Sequence, residues 1–317
     1  MRLWIGIANV LLLSIGLQGS VGVFEIEVGE ITWARSGMNQ NALAFQTTSS
    51  GTTSVIEASS VNESNSWTPG FSGRIALFPV KEFGIDARYT GFFEWSKSRA
   101  VSTTGPSVLY SLNISSASPI DFTHGTQAIE DYKMRYESAD LLFAWNVTPL
   151  YNNFFGIRAE IGPSFIYVND RLNQVLSSPV FLKEYNIKSE NYLVGTRLYG
   201  EFIGVPRPFI WGIRGSFGLY GDLYYQKSFI SQSIPTEINH NFKVNDNWFS
   251  TVLQGEVFIG LTFFDAWRIK AGYGGELMTN LALATTQAGR SLTKGGIYPH
   301  SRLAFYGFFV SLELDLF

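Results

Sequence analysis

Charged side chains at alternate positions are the residues of this chain that could do chemistry. Asp86 and Arg88 lie two positions apart, and so do Arg158 and Glu160. On a β-strand, residues two apart point to the same face, so both charge signs would line one surface. Such a surface could select the solutes that pass, or its charges could pair and fill a narrow interior. Both interpretations stay open. The candidate inward-facing residues are Arg74, Asp86, Arg88, Glu94, Asp140, Arg158, Glu160, Arg197, Glu201, Arg214, Glu256, Arg268, Lys270 and Glu276.

Catalytic and metal chemistry find little support in the same sequence. His124, His240 and His300 fall in predicted loops, and His300 adjoins Ser301. Adjacent residues on a strand point to opposite faces and cannot pair as base and nucleophile. There is no cysteine, which excludes disulfides and thiolate metal sites. We therefore predict no enzyme, no metal site and no cofactor. A net charge of −3 argues against a nucleic-acid partner.

The elements that position these side chains follow a period of two. From Phe249 to Phe263 the odd positions are mostly apolar, whereas the even positions include Ser250, Gln254 and Glu256. The alternating stretches reach the ~9–11 residues that a tilted membrane strand needs, and soluble strands are usually about 5–6 residues long. This pattern disfavours a soluble β-sandwich. Ten strands are predicted, near 24–35, 70–79, 83–95, 134–147, 154–168, 190–203, 208–223, 247–263, 267–281 and 303–317.

The first of these strands contains an irregularity. Phe24 and Val28 share one phase, whereas Ile31 and Trp33 lie on the other. We predict a β-bulge near Gly29 that switches the phase.

The connections between the predicted strands alternate between short and long. Short periplasmic turns and long extracellular loops are typical of outer-membrane barrels. Twelve strands remain possible if residues 41–47 pair within the first long loop. The short connections are 79–82, 148–153, 204–207 and 264–266, and the long ones are 36–69, 96–133, 169–189, 224–246 and 282–302.

Aromatic residues cluster at the ends of the predicted strands. Two aromatic belts that bracket an apolar band are typical of a lipid-facing barrel. We predict an all-β fold, a transmembrane antiparallel up-and-down barrel. The predicted lipid-facing belt residues are Trp95, Trp145, Phe202, Trp211, Phe249, Phe263 and Trp267.

The N-terminus has the features of an export signal. Arg2 precedes an apolar stretch from Ile5 to Leu17, and Ser20 and Gly22 suit cleavage after Gly22. We predict a signal peptide over 1–22 and a barrel domain over 23–317. The expected location is the bacterial outer membrane. The expected partners are outer-membrane lipid and lipopolysaccharide, the barrel-assembly machinery and small solutes.

Several short motifs, in order, resemble a known bacterial family. They include Glu30–Ser36, Gly84–Tyr89, Phe155–Ala159 and Arg268–Tyr273. The chain resembles the outer-membrane β-barrel porin family numbered seven (beta barrel porin-7). The resemblance implies a barrel with porin activity and supplies no binding residues.

Two functional hypotheses follow. The first is a porin-like passive channel for small hydrophilic solutes. The alternative is a closed structural or surface-interaction barrel, an adhesin or receptor, without conductance.

Overall fold

A computed structural model describes most of the chain beyond the predicted signal peptide, which itself lies outside the described residues. Among the described residues, no helix has the length and apolar character required to cross a bilayer. The described residues are 23–37, 42–48, 51–57, 64–103, 109–112, 114, 118, 120–148, 154–233, 236–263, 266–288 and 299–316.

Ten antiparallel strands close into one barrel. Each strand pairs with its neighbours in chain order, and the first strand also pairs with the last, so the sheet has no open edge. The prediction of a ten-stranded transmembrane up-and-down barrel is confirmed. The barrel strands are β1 (Val23–Gly37), β4 (Ser64–Val80), β5 (Phe83–Ser102), β7 (Gln127–Thr148), β8 (Phe155–Ser178), β9 (Phe181–Gly204), β10 (Phe209–Gln232), β11 (Ile238–Phe263), β12 (Trp267–Leu281) and β13 (Ser301–Leu316).

A second, smaller sheet and one short helix are not part of the barrel wall. The sheet has the order β3 (Gly51–Glu57), β2 (Ala42–Thr48), β6 (Leu109–Leu112), and the helix is α1 (Ala284–Gln287). Strand β2 does pair within the first long connection, but it joins this separate sheet. The twelve-strand alternative is therefore wrong.

Two of the predicted long loops are strand. Residues 169–189 form the upper parts of β8 and β9, which meet in a tight turn where Ser178 pairs with Phe181. Residues 224–246 belong largely to β10 and β11, with Gln232 paired to Ile238. The barrel wall therefore rises well beyond the predicted membrane strands on the β5 and β7–β11 side.

The sequence pattern misses these upper parts of the strands because the two faces of the wall exchange polarity while the alternation keeps its phase. On the lower part of β7, apolar side chains such as Phe143 point outward and Asp140 points inward. Higher on β7, Tyr132 and Met134 are buried inside, whereas Lys133 is exposed outside. The lower wall thus faces lipid, and the upper wall has the apolar interior of a water-soluble sheet.

The same inversion of polarity explains the pattern of the first strand and corrects the prediction made for it. Strand β1 keeps a continuous register with β13 through Gly29, and Ile31 and Trp33 are buried on the same face as Glu25 and Glu27. The bulge predicted near Gly29 is wrong. The inner face simply changes from charged to apolar along β1.

A bulge does occur on β5, and it overturns two predicted orientations. The register with β7 shifts between Thr90 and Phe93, where Phe92 has a φ of 66°. One extra residue reverses the phase of everything above it. Trp95, predicted to face lipid, is therefore buried inside at 1% exposure. Glu94, predicted to face inward, is exposed outside and pairs with Arg135.

Candidate functional site

The lumen is the candidate functional site, and its lower part holds a charged network. Strands from all sides of the barrel contribute to it, because every second residue of each strand points inward. Apart from Glu94, all the candidate inward-facing residues lie on the inner face. Four further acids on the inner face belong to this network: Glu25, Glu27, Glu313 and Asp315.

Two arginines join neighbouring and distant strands in this network. The Nε atom of Arg74 lies 2.5 Å from Asp86 Oδ2, and its Nη2 atom lies 3.1 Å from Glu25. Arg158 on β8 donates two hydrogen bonds, of 2.9 and 2.7 Å, to the same Glu25 carboxylate on β1. Bidentate pairs of this kind are strong and directional. They fasten strands that are not neighbours in the barrel.

Further pairs cross the lumen at the next level. Arg214 lies 2.8 Å from Glu201 on the adjacent strand and 3.6 Å from Glu27 across the barrel. The Tyr136 hydroxyl donates a 2.7 Å hydrogen bond to Glu276. Strands β7 and β12, which carry this pair, lie at opposite points of the closed sheet. The lumen is therefore bridged across its full diameter at this level.

An aromatic layer lies above the charged network. Trp33 stacks between Phe93, with ring centroids 4.9 Å apart, and Phe305, with centroids 5.4 Å apart. Trp95 stacks on Phe305 at 4.9 Å, and Tyr136 lies 5.0 Å from the same ring. All five side chains are buried. A layer without ionised groups in the middle of a lumen is a barrier to ions and polar solutes.

A folded-in segment closes the lumen above the aromatic layer. Residues 282–288, which include α1, are all buried. The side chain of Asn191 clamps Ala282, donating to its carbonyl and accepting from its N–H, both at 3.1 Å. Asp170 accepts a 2.7 Å hydrogen bond from the Ala284 N–H. We call residues 282–288 the cap.

The small sheet completes the closure on the other side. Leu43 and Ile56 belong to the same apolar cluster as Leu172 and Ile187 of the barrel wall. Gln174 donates a weak 3.5 Å hydrogen bond to the Leu43 carbonyl and a 2.9 Å hydrogen bond to Glu130. The upper lumen is thus packed as a protein core.

Burial in this core raises the pKa of two carboxyl groups above the membrane band. Removal from water raises the pKa of Glu130 to about 8, against the opposing hydrogen bond from Gln174. Burial also raises the pKa of Asp170 to about 7, although the Ala284 N–H opposes the shift. Both carboxyl groups therefore hold a proton more tightly than in the unfolded chain.

A small cavity lies in the described part of the lumen. It lies between the charged network and the aromatic layer and is lined by residues such as Arg88, Tyr199 and Trp33. Its volume is about 60 Å³, which holds roughly four water molecules. The cavity can hydrate the charges, but it is too small for a sugar.

The outer surface carries two aromatic rows around an apolar band. At the lower edge, Phe83 stacks near Trp145 and Phe202 packs on Trp211. At the upper edge, outward tyrosines of three adjacent strands contact one another. Tyr167 lies 5.0 Å from Tyr192, which lies 5.8 Å from Tyr225. Between the rows, large apolar side chains are exposed: Ile161, Phe165, Leu198, Ile213, Phe217, Leu253 and Ile259. Exposure on this scale requires lipid around the wall.

The predicted belt residues other than Trp95 lie on this outer surface. Trp145, Trp211, Phe249, Phe263 and Trp267 are exposed, and Phe202 is half-buried.

Sequence reasoning missed the residues that block the lumen. Ile31 and Trp33 lie in phase with the inward Glu25 and Glu27, and the sequence analysis attributes them to a bulge near Gly29. Phe305, on the inner phase of β13, is not among the predicted site residues. The alternation of Tyr132, Met134 and Tyr136 with Lys133 and Arg135 did carry the signal. An apolar set on the inner phase indicates a closed interior rather than a displaced strand.

Two of the three histidines lie in different parts of the fold. His124 lies before β7 and contacts Thr123, whereas His240 lies on β11 rather than in a loop. Within the described ranges, no group of three His, Cys, Asp or Glu residues could hold a metal ion.

Comparison with solved structures finds similarities at low sequence identity. No protein-family model and no curated protein matches the chain, so the resemblance to the porin-7 family stays a prediction. Similar solved structures include the outer-membrane protease OmpT of Escherichia coli, with 12% identity, a TM-score of 0.46, and coverage of 93% of this chain and 96% of that one. The translocator domain of autotransporter NalP of Neisseria meningitidis has 11% identity, a TM-score of 0.38, and coverage of 99% and 95%. A Pseudomonas aeruginosa FadL homologue has 6% identity, a TM-score of 0.28, and coverage of 93% and 90%.

Proposed function

We propose that this protein is an outer-membrane β-barrel with a lumen that is closed at rest, and that it acts through its extracellular surface. The carrying observation is the Tyr136–Glu276 hydrogen bond across the diameter, directly beneath a buried aromatic layer. Together with the cap, these contacts support a lumen that is closed to solutes. A surface role is supported by the wall of β5 and β7–β11, which rises beyond the lipid-facing band.

The proposal includes the cellular setting. An apolar band on a closed sheet suits a bacterial outer membrane, with export by the signal peptide proposed over residues 1–22. Insertion would require the barrel-assembly machinery. We propose a non-enzymatic role, as the sequence analysis predicts.

A porin-like passive channel is the second candidate. Both charge signs line the lower lumen, as a pore for small hydrophilic solutes would require. For conduction, however, the cap would have to leave and the aromatic layer around Trp33 would have to open. Polar contacts of Asn191 and Asp170 hold the cap to the wall, and a gated form of this candidate would have to break them.

Planar-bilayer recording of the full-length purified protein separates the two candidates. We expect no single-channel steps at neutral pH in either salt or voltage series, and no liposome swelling with sugars of graded size. A known general porin in the same bilayers serves as the positive control. Stable ohmic steps from the wild-type protein would overturn the closed-lumen proposal.

A variant in which a disulfide locks the cap to the barrel wall distinguishes a gated pore from a leak. The chain has no cysteine, so the pair Asn191→Cys/Ala282→Cys introduces the only possible disulfide at the clamp between wall and cap. If wild-type steps were seen and oxidation of this variant abolished them reversibly, the cap would be the gate. Steps that persist in the oxidised variant would place the path elsewhere.

A further inference from the structure

The outer face above the lipid-facing band carries a row of positive charges in direct register. Strand pairing places Lys133 opposite Arg171 and Arg171 opposite Lys188. It then places Lys188 opposite Lys227 and Lys227 opposite Lys243. Five adjacent strands, β7 to β11, thus each contribute one cation. We call these five residues the basic row.

All five residues point away from the barrel interior. Lys133, Arg171, Lys227 and Lys243 are exposed, and Lys188 is half-buried. Directly opposite residues on antiparallel strands have Cβ atoms about 4.5–5.5 Å apart, and like charges in such positions destabilise a sheet. The folded chain therefore carries a repulsion that a ligand of opposite charge would relieve.

The protein itself offers little neutralisation. Lys188 pairs with Glu190 at 2.8 Å. Arg171 donates a 3.1 Å hydrogen bond to the neutral Asn186. The in-register rows directly above and below contain two acids, Asp131 and Glu190, and one further base, Arg135, which pairs with Glu94. This face is cationic although the whole chain has a net charge of −3.

The depth of the basic row matches lipid headgroups. Tyr225 precedes Lys227 by two residues, and Tyr192 lies four residues from Lys188 on the same face. A strand rises about 3.3 Å per residue, so the cations begin roughly 7–13 Å along tilted strands from the upper tyrosine row. The headgroup layer on each side of a bilayer is about 5–8 Å thick.

A groove lies at the β7–β9 end of the row. It has a volume of about 710 Å³ and is lined by Lys133 and Arg171, together with Lys97, the acids Asp131 and Glu184, and several serine and asparagine side chains. Amide and hydroxyl groups of this kind suit sugar hydroxyls, and the cations suit phosphate.

From this geometry, we infer that the basic row binds the phosphate groups of a phosphorylated glycolipid in the outer leaflet, which in a bacterial outer membrane is lipopolysaccharide. Arginine and lysine on the wall meet the headgroup phosphates, the tyrosines mark the boundary, and the apolar band contacts the acyl chains. The inference rests on the outer-membrane location proposed above. It does not depend on whether the lumen conducts.

Binding of purified rough lipopolysaccharide to the full-length protein in zwitterionic detergent tests the inference. The row variant is Arg171→Gln/Lys188→Gln/Lys227→Gln. The matched control, Lys81→Gln/Arg99→Gln/Arg302→Gln, removes the same charge from exposed positions outside the row. Each headgroup contact is worth roughly a fivefold change in affinity. We expect the row variant to bind about ten- to a hundredfold more weakly, and the control to bind like the wild type.

Two further ligands identify what is recognised. Enzymatically dephosphorylated lipopolysaccharide should bind as weakly to the wild type as the intact lipid binds to the row variant. Inorganic phosphate should compete only at far higher concentrations than the lipid. Equal binding by the row and control variants, or by phosphorylated and dephosphorylated lipid, would overturn the inference. So would free phosphate that competes as well as lipid, because the site would then recognise a soluble anion.

Folding distinguishes failure of this inference from failure of the proposed location. Heat-modifiable migration on gels and protease resistance in liposomes show whether each variant inserts as a barrel. If the protein inserts as a barrel but binds phosphorylated lipid no more tightly than dephosphorylated lipid, only the basic-row inference is refuted. A chain that does not insert in any bilayer would defeat the location.

Discussion

Loss of a buried lumen cation should destabilise the barrel far more than loss of an exposed one. Arg197 is 1% exposed, forms an ion pair with Glu276 and lies 3.6 Å from Asp140. In Arg197→Met, two buried carboxylates lose their partner, and breaking a buried pair in this way costs about 3–5 kcal/mol. We expect that loss in the free energy of unfolding, measured by urea titration in lipid vesicles with tryptophan fluorescence.

The matched control is Arg135→Met. Arg135 also pairs with a glutamate, Glu94, at 3.4 Å, but the two side chains are 62% and 54% exposed. Exposed pairs contribute about 0–1 kcal/mol. We therefore expect the control to lose little stability and to keep the wild-type urea slope.

A double-mutant cycle isolates the pair itself. Glu276→Gln alone leaves Arg197 with Asp140, so the single change should be milder than Arg197→Met. The combined variant should lose less than the two single losses together, with a coupling of about 1–3 kcal/mol. If Arg197→Met and Arg135→Met lost the same stability, the lumen charges would be as solvated as surface charges. That result would refute the closed lumen.

Three further outcomes are expected. In the first, burial raises the pKa of Glu130 to about 8 from an ordinary 4.5. Between these two values the folded protein binds more protons than the unfolded chain, so the part of the barrel around Glu130 loses stability as the pH rises. Glu130→Gln should flatten the difference in amide protection between pH 5 and pH 8, and an unchanged difference would contradict this assignment. In the second, brominated-lipid quenching of fluorescence should fall in Trp145→Phe but stay unchanged in Trp95→Phe, and a fall in both would return Trp95 to the lipid face. In the third, Gly195→Ala should impair folding because its Cβ would lie 2.0 Å from the Leu219 carbonyl oxygen, whereas Gly200→Ala, with nothing within 4 Å, should fold normally in the same gel assay.

The strand count and order follow from the sequence because lipid imposes a simple rule. Within the bilayer every outward side chain must be apolar and every backbone group must pair, so stretches such as Phe249–Phe263 show a clean period of two. Short turns such as Gly204–Arg207 separate them sharply. These local signals, repeated along the chain, were sufficient for a closed ten-stranded barrel.

The height of the wall did not follow from the same rule. Above the tyrosine row the wall has polar surroundings on its outer face and packed protein on its inner face. Lys188 therefore points outward and Ile187 points inward. The period is still two, but the faces exchange polarity. A search for apolar-outward strands ends at that boundary and leaves the remainder as loop.

The sequence by itself determined that charged residues of both signs face one interior. Only the tertiary structure decided that this interior is closed. The extra residue at the Phe92 bulge turns Trp95 inward, and closure of the sheet brings Tyr136 and Glu276, 140 positions apart, into contact. A local pattern assigns a side chain to a face, but the width of the space that it enters depends on strands that are distant in the chain.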